Sequence, residues 1–182
     1  MVRIETPRLL LSELTGEDAD FIIALLNSPG FLANIGDRGV RTPEDARRYI
    51  AQGPAASYAA HGFGLWKATR KSDGAAVGLS GLLKRDELPF ADLGYAFLPA
   101  YEGLGYASEA GAAALDFGFG RKRLPRILAI VRPGNESSMR VLRKLGMSER
   151  GVVQMDHQAL HVFGRDAPDA PAPEPAVARQ AD

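Results

Sequence analysis

With 182 residues, 46% of them hydrophobic and 24% charged, the chain has the size and composition of one globular domain with a substantial core. Lysine plus arginine and aspartate plus glutamate stand at 22 each, so no net field points to nucleic acid or an anionic membrane as the main partner. There is no cysteine, which excludes a disulfide framework, thiolate metal ligation and a cysteinyl enzyme intermediate.

The opening Met1-Val2-Arg3-Ile4-Glu5 is charged, and no apolar run approaches the ~20 residues that cross a bilayer. A soluble, cytoplasmic protein is expected. Ala167 to Asp182 carries four prolines and six alanines without an apolar period, which predicts a disordered tail behind a single domain over residues 1–166.

Ile4 to Leu11 reads as an edge strand, because Pro7 fits only where no ladder donor is needed. Thr15 and Asp18 form a capping pair ahead of a helix over Ala19 to Leu26, which Asn27-Ser28-Pro29-Gly30 stops. A second helix starts at Thr42, with Pro43 in its first turn, and is expected to end at Gly53-Pro54. Gly62 to Ala68 and Ala76 to Leu83 are strands joined by the hairpin signal Ser72-Asp73-Gly74. A strand over Ala91 to Leu98, a helix to about Gly120 and a strand over Arg126 to Val131 form one crossover unit, so these strands should be parallel. A helix over Asn135 to Leu145 and strands over Ser148 to Gln154 and Ala159 to Gly164 close the domain. The predicted fold class is α/β: a mixed, mostly antiparallel sheet with one parallel pair and about four flanking helices.

Three stretches carry chemistry. Tyr101 to Ala110 is a strand-to-helix turn in which Gly103 and Gly105 let backbone N–H groups converge, and the helix start behind them adds about half a positive charge. Such a turn suits a pyrophosphate; the bland reading is a glycine-rich connector. The lysine and hydroxyl of a P-loop are absent, and a dinucleotide fingerprint would need a third glycine or alanine where Ser108 stands.

On the helix after Asn135, Ser138 shares a face with Val141, Leu142 and Leu145. Its hydroxyl either serves chemistry or caps its own helix beside Asn135. On the strand over Ala91 to Leu98, Asp92 shares a face with the small residues Gly94 and Ala96. It is either a functional carboxylate next to open space or a solvated acid. His157 and His161 lack a third ligand nearby, so no metal site is expected. The cations Arg121, Lys122, Arg123, Arg126 and Arg132 read as a solvated face rather than a nucleic-acid site.

The ordered set E-T-P-R-L-L-L (Glu5 to Leu11), D-L-G-Y (Asp92 to Tyr95), Y-E-G-L-G-Y-A-S-E-A (Tyr101 to Ala110) and N-x-x-S-x-x-V-L-x-K-L-G-M (Asn135 to Met147) resembles the GNAT acetyltransferases, closest in pattern to the RimJ/RimL-like branch. The resemblance covers the chain to about Asp166. It implies a splayed sheet and acetyl-CoA as acetyl donor, with its pyrophosphate on the turn formed by Gly103, Leu104, Gly105, Tyr106, Ala107 and Ser108. Tyr95, Ala96, Phe97 and Leu98 would line the pantetheine cleft, with Asn135 and Ser138 near the cofactor.

By position, the resemblance makes Asp92 a general base working through water and Ser138 a donor to the departing sulfur. The expected activity is acetyl transfer to a primary amine, either a protein N-terminal α-amine or a small molecule, by direct attack on the thioester. A non-catalytic CoA-binding or sensor module is the alternative. Glu102 stands where the family often has glutamine or arginine, and should face solvent. A homodimer is compatible with this reading.

Overall fold

The computed structural model describes residues 1–155 and 157–168. The tail expected over 167–182 therefore lies, from residue 169 onward, outside the described residues. Eight strands form one sheet in the order β1-β2-β3-β4-β5-β6-β8-β7. They are β1 (Arg3–Glu5), β2 (Leu9–Ser12), β3 (Leu65–Arg70), β4 (Ala76–Leu83), β5 (Asp92–Phe97), β6 (Arg126–Val131), β7 (Ser148–Met155) and β8 (Gln158–Asp166). Every neighbouring pair is antiparallel except β5 and β6, as the crossover predicts.

The first strand is two. Pro7 cannot donate to a ladder, so the chain turns over Thr6 to Arg8 and β1 pairs back on β2 as a hairpin. The helices differ from expectation at two points. Pro29–Asn34, expected as loop, forms α2, because Pro29 sits in its first turn, where no N–H is required. The second helix also runs on past Gly53-Pro54: α3 (Pro43–Ile50) continues through a π turn over Ala51–Ala55 into α4 (Ala56–His61). The wider turn has already interrupted the regular ladder, so the missing N–H of Pro54 costs little there. Gly62, at φ +70°, ends this rod. With α1 (Ala19–Leu26), α5 (Tyr106–Asp116) and α6 (Glu136–Lys144), six α segments flank the sheet among the described residues.

Two apolar cores sit on opposite faces of the sheet. On one, Leu11, Trp66, Leu82 and Leu93 pack against Ala110, Ala114 and Leu115 of α5 and Leu142 of α6. Trp66 meets Phe117 edge-on with ring centroids 5.0 Å apart. On the other, Leu14, Ile22, Leu25, Ala46, Ile50 and Leu79 join α1 and α3 to β4. The small stripe on α5 has a packing cause: a Cβ on Gly111 would stand 2.8 Å from Leu145 Cδ1. Gly94 is small for a similar reason, since a Cβ there would meet Leu83 Cδ1 at 2.6 Å.

The parallel pair makes the site. Asp92 is paired with Leu128, and no further residue of β5 is in register with β6. Beyond that point the strands diverge, and the sheet opens as a V toward the start of α5.

Candidate active site

A cavity of about 890 Å³ runs through this opening and is walled by both faces of the sheet. Tyr95, Ala96 and Phe97 line it from β5, Gly103, Gly105, Tyr106, Ala107 and Ser108 from the turn, and Asn135 and Ser138 from α6. Leu98 and Leu104 do not line it. Leu98 packs against the core of α1 and α3, and the Leu104 side chain is exposed while its carbonyl accepts a hydrogen bond from Arg8 Nη1 at 2.9 Å.

Gly103 (φ +73°) and Gly105 (φ +83°) adopt the left-handed backbone that the turn requires. Gly105 is the N-cap of α5, and no side chain caps the helix. The first N–H groups of a helix have no partner within it, so an anion is well suited to this position. A Cβ on Gly103 would meet nothing within 4 Å, which leaves room beside these donors.

The turn is braced from the connection between β1 and β2. The carboxylate of Glu109 on α5 accepts from Thr6 Oγ1 (2.6 Å), Arg8 N (2.7 Å) and Arg8 Nε (2.6 Å), and the Arg8 guanidinium covers the Tyr106 ring at 4.5 Å. The opening E-T-P-R run thus holds the glycine turn in place, a role that strand patterning alone does not reveal. Glu102 is exposed, yet it does not turn away from the site: it lines the cavity, with its carboxylate beside Gly30 of α2.

Ser138 does not cap its helix. Asn135 does: its side chain accepts from Ser138 N at 3.2 Å. The Ser138 hydroxyl lies 2.8 Å from Tyr95 Oη, and the phenol also reaches the Ser138 carbonyl at 3.1 Å. Burial pushes the Tyr95 phenol up to about 12, so it is protonated at neutral pH.

Asp92 is buried, at 1% exposure, and both of its oxygens lie 3.0 Å from Arg85 Nε. The picture of a solvated acid does not apply. Burial raises its pKa above the ordinary carboxylate value, and the charge of Arg85 opposes the rise. Asp92 faces the α1/α3 side of the sheet, whereas Tyr95 and Ser138 face the α5/α6 side, and the opening between β5 and β6 joins them. Arg85 and Tyr49 line the same cavity and were not singled out in the sequence, because neither lies in a motif.

The cations at 121–132 do not form one face. Arg121 covers Phe117, Arg126 pairs with Asp166, and Arg132 Nη1 donates to the Ala33 carbonyl at 2.7 Å. His161 Nδ1 lies 2.7 Å from Glu149 Oε1. No helix among the described residues is long and apolar enough to cross a membrane.

A split mixed sheet with an uncapped glycine turn at the mouth of the split is the architecture of an acyltransferase. A family model described as acetyltransferase (GNAT) domain matches residues 8–148, and the chain belongs to that family. Among its relatives is an uncharacterized N-acetyltransferase, YnaD, of Bacillus subtilis, 30% identical over 150 residues that cover 82% of this chain and 85% of the relative. The ribosomal-protein-S5-alanine acetyltransferase of Vibrio fischeri has a similar fold, with TM-score 0.77 and 20% identity over 94% of this chain and all of that one. The aminoglycoside acetyltransferase AAC(6')-Ib, solved in complex with coenzyme A, superposes with TM-score 0.72 and 15% identity over 87% of this chain and 94% of that one.

Proposed function

We propose that the protein transfers the acetyl group of acetyl-CoA to a primary amine by direct attack, and that it belongs to the RimJ/RimL-like branch. The observation that carries this reading is the meeting, in one cavity, of an uncapped helix start, a buried carboxylate and a hydroxyl pair. The complex of AAC(6')-Ib with coenzyme A and the likeness to the S5-alanine enzyme support donor and branch.

The donor supplies an acyl group activated as a thioester. The N–H groups at the start of α5 hold its pyrophosphate, with Gly103 and Gly105 giving them access. Asp92 takes the proton released as the amine nitrogen bonds to the acetyl carbon, through a water. Its raised pKa suits this role, since a base is most effective when its pKa approaches the working pH. As the carbon–sulfur bond breaks, sulfur leaves as thiolate, the Ser138 hydroxyl beside Tyr95 donates a hydrogen bond to it, and the proton taken up by Asp92 passes through water to solvent. A thiol with pKa ~8.5 leaves readily as thiolate, so this donor need only assist.

Release of free thiol from acetyl-CoA in the presence of an amine panel, with acetylated products identified by mass spectrometry, tests the activity. Acetyl-CoA binding without transfer to any amine would leave the binding module instead.

A further inference from the structure

The short helix α2 crosses the open end of the V. Beyond β5, Glu102 brings its Oε1 to 3.2 Å from the position a Cβ on Gly30 would take. Just past β6, Arg132 donates from Nη1 to the Ala33 carbonyl at 2.7 Å, and its Nη2 stands 3.8 Å from the Cβ position of Gly36. One six-residue helix and the residue pair that follows it thus touch a side chain beyond each of the two parallel strands. Phe31 and Ile35 reach the cavity wall, and Phe31 belongs to the core of α1 and α3, the side that Asp92 faces.

This stretch has few other attachments. It is closed at its base by Asn27, whose Nδ2 donates to Ile23 O and Val40 O, each at 2.8 Å. Phe31 is the one buried residue of α2. The return limb contains Gly36 (φ +112°) and Gly39 (φ +67°), a backbone that glycine adopts freely. Among the described residues, the bond from Arg132 is the only hydrogen bond that joins residues 29–39 to anything outside the stretch 25–41. Arg132 itself is anchored: it follows the last residue of β6, and its carbonyl accepts from Asn135 N at 3.1 Å in the turn that leads to Ser138.

We infer that Arg132 is a positioning residue for the acceptor. Its guanidinium holds α2 across the open end of the sheet, so that Phe31 and Ile35 form a wall for the amine substrate on the Asp92 side. A hydrogen bond from a charged donor is worth roughly 10- to 100-fold in an equilibrium, so without it α2 should leave this position far more often. An acceptor that binds only the closed arrangement then binds more weakly by up to that factor, whereas a donor held by the start of α5 does not. The inference rests on the acetyltransferase reading and adds to it a residue that acts through α2.

The test uses Arg132→Met, which keeps the stem and removes the donors, and Arg132→Lys, which keeps a cation of shorter reach. Hydrogen exchange needs no substrate: in Arg132→Met the amides of Ile35 and Gly36, both bonded to the Phe31 carbonyl, should exchange roughly 10-fold faster, with β4 and α5 unchanged. With an amine from the panel, the acceptor KM should rise about 10-fold, while kcat and the acetyl-CoA Kd stay within about twofold. Arg132→Lys should recover part of both effects. Arg132→Gln, with a single short amide donor, reads the same quantities should Arg132→Met not fold. Unchanged exchange in α2, or faster exchange with an unchanged acceptor KM, would overturn the inference and leave the acetyltransferase reading intact. So would weaker acetyl-CoA binding alone, which would move Arg132 to the donor site. No acetylation of any amine by the wild type would overturn the acetyltransferase reading and the acceptor role together, and exchange would still decide whether Arg132 holds α2.

Discussion

The Tyr95 phenol oxygen lies 2.8 Å from the Ser138 hydroxyl, tying the middle of β5 to the first turn of α6 across the open part of the sheet. The two hydroxyls share one hydrogen bond, so they should behave as one unit. Ser138→Ala and Tyr95→Phe should each lower kcat by roughly tenfold, at or below the usual range for acid catalysis, with little change in acetyl-CoA affinity. The double variant should be hardly worse than either single one. Additive losses in a double-mutant cycle would separate the two residues.

Asp92 and Arg85 form a pair with unequal burial, 1% against 29% side-chain exposure, and the inequality sets the sign of each substitution. Arg85→Met leaves a buried carboxylate without its cation and should cost about 3 kcal/mol near neutral pH, read by urea unfolding. The Asp92 pKa is already raised by burial and would rise further in this variant. A group with a raised folded pKa contributes stability that is complete below its unfolded value and is lost as pH rises through the folded one. The Arg85→Met defect should therefore shrink as pH falls toward 4. A defect of constant size would mean that Arg85 matters through packing.

Asp92→Asn should leave melting temperature at pH 7.5 unchanged or slightly higher, because Arg85 can turn to solvent, while turnover falls by about 10² to 10⁴. With an α-amine acceptor, pKa ~8, the defect should shrink as pH rises past 8 and the substrate deprotonates itself. With a lysine acceptor, pKa ~10.4, it should stay large. Full activity in Asp92→Asn at every pH would reduce the pair to a structural one.

Arg8 does not itself line the cavity, yet it holds Leu104 O, Glu109 and the Tyr106 ring. Arg8→Ala should raise KM for acetyl-CoA severalfold with kcat nearly unchanged, since looser donors bind ground and transition states equally less well. A fall in kcat at constant KM would assign Arg8 elsewhere.

Gly81 on β4 has no room for a side chain, because a Cβ would stand 2.0 Å from the Gly64 carbonyl oxygen, itself bonded to Leu82 N. Gly81→Ala should destabilise the domain by at least 1–3 kcal/mol through forced backbone movement, read by thermal unfolding.

What the sequence made legible was whatever a local rule determines. Thr15 with Asp18 and Thr42 with Asp45 form capping boxes, and β4, β6 and α1 have the bounds that alternation, periodicity and caps suggest. Gly103, Gly105 and the Asn135 cap carried the turn and the helix start. Contacts between segments distant in the chain were not legible: Tyr95 with Ser138 is 43 residues apart, and Thr6 with Glu109 is 103. Burial was left open where charge was the only cue, as at Asp92, because a pairing with Arg85 from an irregular loop leaves no periodic trace. The helix bounds failed at prolines, where Pro29 starts a helix and Pro54 sits within a π turn.

The single register point between β5 and β6 leaves the backbone groups from Leu93 to Phe97 without a β6 partner in the ladder. On an outer strand such a row invites pairing with a second chain and, by repetition, aggregation. Here the row lies inside the domain, with α5 and α6 closing one side and α1 and α3 the other, so it is closed to a sheet of another protein. The fold thus keeps an adhesive edge available for a ligand while denying it to self-association, and the helices are the fence.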